Sequence, residues 1–233
     1  MNPSPLANPA AERMLDIVRE CRLLLAVTLH RPDDWQGLGL LLEQTGIPAV
    51  EVMLRSPHAW QGIRCLRQKW PGLVLGVGTV LNPTDVKRAQ DEGADFAVSP
   101  GTRLDLLEYA ATHKFPYLPG AMHPSDLMLI ASCGWRAVKF FPAAPLGSEY
   151  LQVLAAPFPD LRFCVSGGLE VGNYREFLRV RQVAALSGSW PLPRNLSDAS
   201  ICEQSLPGLR DLMVELQSSL MNENLQFSYG ARP

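Results

Sequence analysis

The sequence lacks the markers of several large protein classes. Its 233 residues carry 21 Lys and Arg against 23 Asp and Glu, so the formal net charge is −2. A chain with this balance has no overall attraction to nucleic acid or to an anionic membrane surface. No apolar run approaches the length that spans a bilayer, and no basic segment followed by an apolar one opens the chain. We therefore expect a globular protein without a nucleic-acid or membrane partner.

Cysteine and histidine are few and scattered. The five cysteines are odd in number and form no CxxC pair, which is typical of reduced thiols in a cytoplasmic protein. The four histidines, His30, His58, His113 and His123, form no cluster with carboxylates at the spacing of a metal site. The sequence therefore predicts no disulfide framework and no metal site.

The sequence has a repeating pattern of predicted strands and helices. Apolar or β-branched runs alternate with helix-like segments at a spacing of about 20 to 26 residues, and eight such runs can be counted. They lie at residues 23–29, 49–54, 74–80, 96–100, 117–120, 137–142, 162–168 and 183–190. Eight strand–helix units predict an α/β fold, the closed (β/α)8 or TIM barrel. A doubly wound open sheet has the same alternation, but no GxGxxG motif follows the first run.

The segments outside the eight units set the expected domain limits. A helix near residues 11–21 precedes the first strand and is expected to plug the bottom of the barrel, after a loose lead-in at residues 1–10. A last helix is predicted near residues 201–221, and residues 222–233 lack periodicity, so a poorly ordered tail is expected there. Residues 11–221 then form a single domain.

One lysine lies within a predicted strand whose other residues are apolar, which indicates a buried strand. Lys139 lies in the run AVKFFP, which ends at Pro142. Burial favours the neutral form of a lysine, and a neutral amine can attack a carbonyl group to give a Schiff base. The structural alternative is that Lys139 reaches out of the strand end or pairs with a buried carboxylate. This run alone leaves both interpretations open.

A carboxylate and a guanidinium occur in the second strand. Glu51, Met53 and Arg55 share one face because side chains alternate along a strand. If this face points into the barrel, Glu51 lies at mid-height and Arg55 nearer the mouth, where barrel enzymes have their active sites. Glu51 could then shuttle protons beside Lys139. A structural ion pair of Glu51 with either cation is the alternative.

Glycine-rich or hydroxyl-bearing turns end several of the other strands. Thr79 follows Gly76 and Gly78 in the third run, and the fourth run ends at Ser99, Pro100 and Gly101. The seventh and eighth runs end at Ser166-Gly167-Gly168 and Ser187-Gly188-Ser189. Glycine turns after these last two strands bring backbone N–H groups close to a phosphate in many barrels. A phosphate site is the favoured interpretation, with ordinary turn or packing roles as the alternative.

At this point the ordered motifs resemble a known family, the 2-keto-3-deoxy-6-phosphogluconate (KDPG) and 4-hydroxy-2-oxoglutarate aldolases. The matching segments run in order from the second strand to the eighth. They are EVMLR (51–55), GVGTVLNP (76–83), SPG (99–101), PG (119–120), KFFP (139–142), APF (156–158), RFC (162–164), SGG (166–168), NY (173–174) and GSW (188–190). Each segment is short, but the ordered set is specific.

The resemblance implies a function and a set of site residues. It implies a cofactor-free and metal-independent class I aldolase, a lyase of the Entner–Doudoroff pathway, that is cytoplasmic and homotrimeric and acts on a small keto acid. Lys139 would form the Schiff base with pyruvate, and Glu51 would be the general acid/base. The expected substrate-binding residues are Arg55, Thr79, Pro100, Phe141, Ser166, Gly167, Gly168, Gly188 and Ser189.

The sequence departs from the family pattern at three places. Ser166 replaces a threonine, Ala144 replaces a glutamate, and Ser187 replaces the first glycine of a Gly-Gly pair. These changes concern the substrate more than the imine chemistry. A 6-phosphogalactonate-type aldolase, an inactive phospholigand-binding relative and a metal-dependent barrel enzyme are the alternatives. The last of these needs the histidine and carboxylate cluster that the sequence does not show.

Overall fold

The computed structural model describes residues 8–229, with side chains for residues 8–219. Within these residues, nine parallel strands form one sheet in the order β5-β4-β3-β2-β1-β9-β8-β7-β6. The strands are β1 (Leu23–Val27), β2 (Ala49–Met53), β3 (Val74–Gly78), β4 (Phe96–Val98), β5 (Tyr117–Leu118), β6 (Gly120–Ala121), β7 (Ala137–Phe140), β8 (Arg162–Ser166) and β9 (Val183–Gly188). All eight predicted runs contain a strand.

The fifth predicted strand is divided at Pro119 into β5 and β6. Proline has no N–H to donate to a ladder, so the regular pairing is interrupted there. The segment that contains β5 and β6 nevertheless pairs with the strands on both of its sides. On the β4 side, the Leu118 carbonyl accepts from the Ser99 N–H at 3.1 Å, and on the β7 side, the Pro119 carbonyl accepts from the Lys139 N–H at 2.8 Å. The nine strands therefore occupy eight positions of a nearly closed barrel. The (β/α)8 prediction is confirmed, and the open doubly wound sheet is excluded.

The helices alternate with the strands around the barrel. They are α1 (Pro9–Cys21), α2 (Asp34–Thr45), α3 (Ala59–Lys69), α4 (Pro83–Asp91), α5 (Leu104–Thr112), α6 (Pro124–Ser132), α7 (Ala143–Ala155), α8 (Tyr174–Phe177) and α9 (Ala199–Tyr229). Asn82 caps the start of α4, since its side chain accepts from the Asp85 N–H at 3.0 Å. Gly46, Gly93 and Gly134 follow three helices with positive φ, the conformation that commonly ends a helix.

The two terminal helices are longer than the sequence predicted. Helix α1 starts at Pro9 and packs against β5, β7 and β9, which fits a helix that closes the bottom of the barrel. Helix α9 runs to Tyr229, so residues 222–229 are helical where an irregular tail was expected. This segment lacks apolar periodicity, but its Glu, Leu and Gln residues have high intrinsic helix propensity. Residues 1–7 of the expected lead-in and 230–233 of the expected tail lie outside the described residues.

Within residues 8–229, no helix is both long enough and apolar enough to cross a membrane.

Candidate active site

The centre of the barrel holds one lysine and one glutamate in direct contact. Lys139 on β7 and Glu51 on β2 extend from opposite sides of the barrel, since β1, β9 and β8 lie between their strands. The Lys139 Nζ lies 3.0 Å from Glu51 Oε1 and 3.2 Å from Oε2. The two residues are 5% and 0% exposed, respectively. The two predicted catalytic residues are therefore brought together in the interior.

This pair has chemical as well as structural consequences. Removing two charges from water costs several kcal/mol for each ion, and their contact offsets this cost only while both are present. A proton passed from the Nζ to the carboxylate leaves a neutral amine next to a neutral acid, with no net change in charge. The geometry thus provides a nucleophile and a proton acceptor within one hydrogen bond.

Gly78 makes room for the Glu51 carboxylate. A Cβ atom at Gly78, at the end of β3, would lie 2.1 Å from Glu51 Oε1 and 2.6 Å from its Cγ. At Gly78 the structure shows a protein carboxylate in that space.

We therefore expect Gly78→Ala to displace Glu51 and to lower kcat by about 10²-fold, since a shift of about 1 Å in a catalytic group has an effect of this size. Gly72→Ala is the matched control, because a Cβ atom at Gly72 meets no atom within 4 Å. Steady-state kinetics and thermal unfolding of both variants check the prediction. Full activity of the Gly78 variant would show that the position of Glu51 is not critical.

Phe141 and the Gly167-Gly168 turn lie beside the pair. The centroid of the Phe141 ring is 5.8 Å from the Lys139 Nζ. Gly167 has φ +99°, and a Cβ atom there would lie 2.8 Å from Phe141 Cδ2. The Gly167 carbonyl accepts from the Ala144 N–H at 2.9 Å, and the Gly168 carbonyl accepts from Asn173 Nδ2 at 3.0 Å. The turn is thus held closely against Phe141 and the start of α7.

Arg55, Thr79 and Pro100 lie at the carboxyl ends of neighbouring strands. The Arg55 Nε donates to Thr79 Oγ1 at 3.0 Å, which joins the end of β2 to the end of β3. Arg55 is exposed and lies two residues beyond the end of β2, nearer the mouth than Glu51. Pro100 follows β4, and its backbone lies against Gly120, where a Cβ atom would be 2.3 Å from the Pro100 carbonyl carbon.

The remaining predicted residues end β8 and β9. Ser166 is buried and lies in register with Ser187, while Gly188 ends β9. Ser189 lines a cavity of about 390 Å³ at the mouth, together with His30 and Met53. The predicted residues therefore surround the mouth, but Lys139 and Glu51 are the ones in mutual side-chain contact at the centre.

Two further polar side chains, whose place beside the pair the sequence did not predict, are Ser187 and Cys164. The Ser187 Oγ lies 3.5 Å from Glu51 Oε2, and Ser187 is fully buried. Cys164 on β8 lies in register with Lys139 on the neighbouring strand β7. Burial raises the pKa of the Cys164 thiol to about 12. The charge of Lys139 lowers this pKa, and the charge of Glu51 raises it further. Strand alternation could have placed Ser187 on the inner face, because it lies two residues before Ser189.

No three acidic, histidine or cysteine side chains in residues 8–219 lie close enough together to hold a metal ion.

The fold and the site define a barrel enzyme of the aldolase class, with a buried amine and carboxylate at the centre of a nearly closed parallel barrel. The model of the KDPG and KHG aldolase family matches residues 14–203, which is most of the chain. The chain belongs to this family and is therefore a lyase.

Similar proteins agree with this assignment. The 2-dehydro-3-deoxy-phosphogluconate aldolase of Pseudomonas aeruginosa is 37% identical over 187 residues, which cover 80% of this chain and 85% of the relative. The KDPG aldolase of Zymomonas mobilis, solved with 3-phosphoglycerate, gives a TM-score of 0.79 at 30% identity and covers 84% of this chain and 94% of that chain. The KDPG aldolase of Legionella pneumophila, with pyruvate captured as a covalent carbinolamine intermediate, gives a TM-score of 0.78 at 30% identity, covering 86% and 98%.

Proposed function

We propose that this protein is a class I aldolase that cleaves KDPG to pyruvate and glyceraldehyde 3-phosphate through a Schiff base on Lys139. The observation that carries the proposal is the buried contact between the Lys139 Nζ and Glu51 at 3.0 Å. An amine that must form an imine and release it again needs a proton donor and acceptor within reach. The Legionella relative, in which pyruvate was captured as a carbinolamine, supports the same covalent chemistry.

The first half of the cycle forms the imine. Lys139 passes a proton to Glu51, and the neutral Nζ attacks the C2 carbonyl carbon of the keto acid to give a carbinolamine. Glu51 returns a proton to the departing hydroxyl group, which leaves as water. The product is a protonated imine, whose positive nitrogen can accept an electron pair.

The second half breaks the carbon–carbon bond. Glu51, directly or through a water molecule, takes the proton of the C4 hydroxyl group as the C3–C4 bond breaks. The electron pair of that bond moves to the imine nitrogen, which gives an enamine, and the aldehyde leaves. Protonation of the enamine at C3 and hydrolysis of the imine then release pyruvate and restore Lys139.

The predicted substrate-binding residues have matching roles in this proposal. Arg55, Thr79 and Ser166 anchor the carboxylate of the keto acid, and Phe141 forms an apolar wall beside the imine. Pro100 contributes the backbone edge at the end of β4. The Gly167-Gly168 and Gly188-Ser189 turns bind the distal phosphate through backbone N–H groups and the serine hydroxyl.

The proposal includes a second substrate. The unphosphorylated 4-hydroxy-2-oxoglutarate presents the same keto-acid end to Lys139, and its cleavage gives pyruvate and glyoxylate. A 6-phosphogalactonate-type aldolase differs only in the C4 stereocentre of its substrate and uses the same lysine and glutamate. An inactive phospholigand-binding relative is disfavoured, because it would have no need for two buried charges in contact.

We also propose that the enzyme is a cytoplasmic homotrimer, as family membership implies. Two neighbouring helices have apolar side chains that such an assembly could cover. Met128 on α6 is 65% exposed, and Val153 on α7 is 75% exposed. Sedimentation of the purified protein would test the trimer directly.

The proposed function is tested by reductive trapping. Sodium borohydride added together with pyruvate should attach one reduced pyruvate to the protein, and peptide mass spectrometry should locate it at Lys139. Turnover of KDPG and 4-hydroxy-2-oxoglutarate, followed by pyruvate release, should establish the order of preference. Aldol cleavage without any trapped adduct at Lys139 would contradict the Schiff-base mechanism.

A further inference from the structure

The mouth of the barrel contains a cavity that the imine chemistry does not use. Its volume is about 390 Å³, and it lies at the carboxyl ends of β9, β1 and β2. Met53 forms part of its lining and lies two residues beyond Glu51 on the same face of β2. The cavity is therefore located above the Glu51 side of the interior. Its size is within the range of small-molecule sites, about 300 to 1,000 Å³.

The two loops that form its walls are tied together by Asp34. The Asp34 Oδ2 accepts from the backbone N–H groups of His30 at 2.8 Å and Arg31 at 2.9 Å. Its Oδ1 accepts from Ser197 Oγ at 2.7 Å. This carboxylate is 4% exposed, and both of its oxygens are occupied by donors of the protein. Asp34 thus holds the loop after β1 against the loop after β9.

Two basic side chains of these loops have no partner among the side chains of residues 8–219. Arg31 Nη1 donates to Asn195 Oδ1 at 2.5 Å, which adds a second link between the loops. The Arg194 guanidinium and the His30 ring, by contrast, form no hydrogen bond or ion pair with any other described residue, and both line the cavity. Ser189, which follows β9, lines it as well. The cavity therefore combines a permanent cation, an imidazole and a hydroxyl group.

We propose that Arg194 is a specificity-determining residue, whose guanidinium binds the distal phosphate of the substrate in this cavity, with Ser189 and His30 as further contacts. This inference rests on the proposed function and deepens it. The glycine turns offer N–H donors without a formal charge, whereas the planar guanidinium supplies a positive charge and paired donors that match phosphate oxygens. Arg194 then distinguishes a phosphate monoester from an uncharged chain end.

The first test compares two substrates that differ only in the phosphate, KDPG and 2-keto-3-deoxygluconate. Arg194→Gln should lower kcat/KM for KDPG by roughly 10- to 100-fold, mostly through KM, because a hydrogen bond to a charged group is lost. It should leave kcat/KM for the unphosphorylated substrate unchanged. Arg194→Lys should recover part of the loss. Arg179→Gln is the control, since Arg179 is an exposed arginine before β9, at the opposite end of the barrel.

The second test measures binding without turnover. Glycerol 3-phosphate carries the distal phosphate but has no carbonyl group, so calorimetry reports the phosphate contact alone. The Kd of glycerol 3-phosphate should rise by roughly 10- to 100-fold in Arg194→Gln, the factor expected for kcat/KM of KDPG, and remain unchanged in Arg179→Gln. If both the substrate ratio and this Kd stay at wild-type values in Arg194→Gln, the inference is overturned. Failure of the wild-type protein to cleave either keto acid or to trap pyruvate would overturn the proposed function instead, while the calorimetry would still decide the role of Arg194.

Discussion

Lys139→Ala is expected to lower the rate of aldol cleavage by at least about 10⁴-fold, because the nucleophile that forms the imine is removed and no later step can proceed. The same change should abolish trapping of pyruvate by borohydride. Pyruvate release from KDPG and the intact mass after reduction are the two measurements. Both should change together, since they report the same covalent bond.

The lysine also stabilises the fold, so loss of activity must be separated from loss of structure. Lys139→Ala leaves Glu51 buried without a counter-charge, which costs about 3–5 kcal/mol when one partner of a buried pair is removed. In a domain of this size, each kcal/mol corresponds to roughly 2–4 °C in Tm. We therefore expect the single variant to unfold at a clearly lower temperature than the wild type.

The double variant Lys139→Met with Glu51→Leu is the matched control. It replaces both charges by apolar side chains of similar length, and such replacements of buried ion pairs are often neutral or stabilising. Its Tm should return towards the wild-type value while cleavage remains absent. Appreciable turnover by either variant would contradict the assignment of Lys139 as the nucleophile.

The barrel could be predicted from sequence because its signals are local and repeated. Eight of the nine strands lie within one of the apolar runs, and β6 extends one residue beyond the fifth run. The division of the fifth strand at Pro119 could have been predicted from the missing N–H of proline. Closure of the barrel, by contrast, places β5 and β6 at the two ends of one sheet, and this arrangement depends on long-range strand pairing. The helical state of residues 222–229 was missed because a periodicity criterion ignores intrinsic helix propensity.

The candidate site was predictable in its residues but not in its contacts. Lys139 was identified as a charge within an apolar run, and Glu51 by strand alternation. Their distance of 3.0 Å follows from the position of β2 opposite β7, which no local pattern contains. The same holds for Gly78, whose importance is visible only once the Glu51 carboxylate occupies the space of its missing Cβ atom. Likewise, Arg194 becomes a candidate only when the loops after β1 and β9 are seen side by side.

Glu51→Gln is expected to separate imine formation from proton transfer. The amide keeps the shape of the side chain and a hydrogen-bond acceptor for the Lys139 Nζ, but it cannot take up a proton. We expect kcat for KDPG cleavage to fall by about 10²- to 10⁴-fold, the usual contribution of a general acid/base. Borohydride should still trap pyruvate on Lys139 in this variant, although more slowly.

Exchange of the methyl protons of pyruvate in deuterated water provides the deciding measurement. This exchange requires the imine to lose a C3 proton to form the enamine, so it reports the proton acceptor without any carbon–carbon cleavage. If Glu51 is that acceptor, the Gln variant should lose exchange and cleavage in parallel while it retains trapping. Normal exchange in the variant would show that another group accepts the C3 proton and that Glu51 is only the counter-charge of Lys139. The contact between Glu51 and Lys139 at 3.0 Å would then be structural, and the contrast between trapping and exchange distinguishes these two roles.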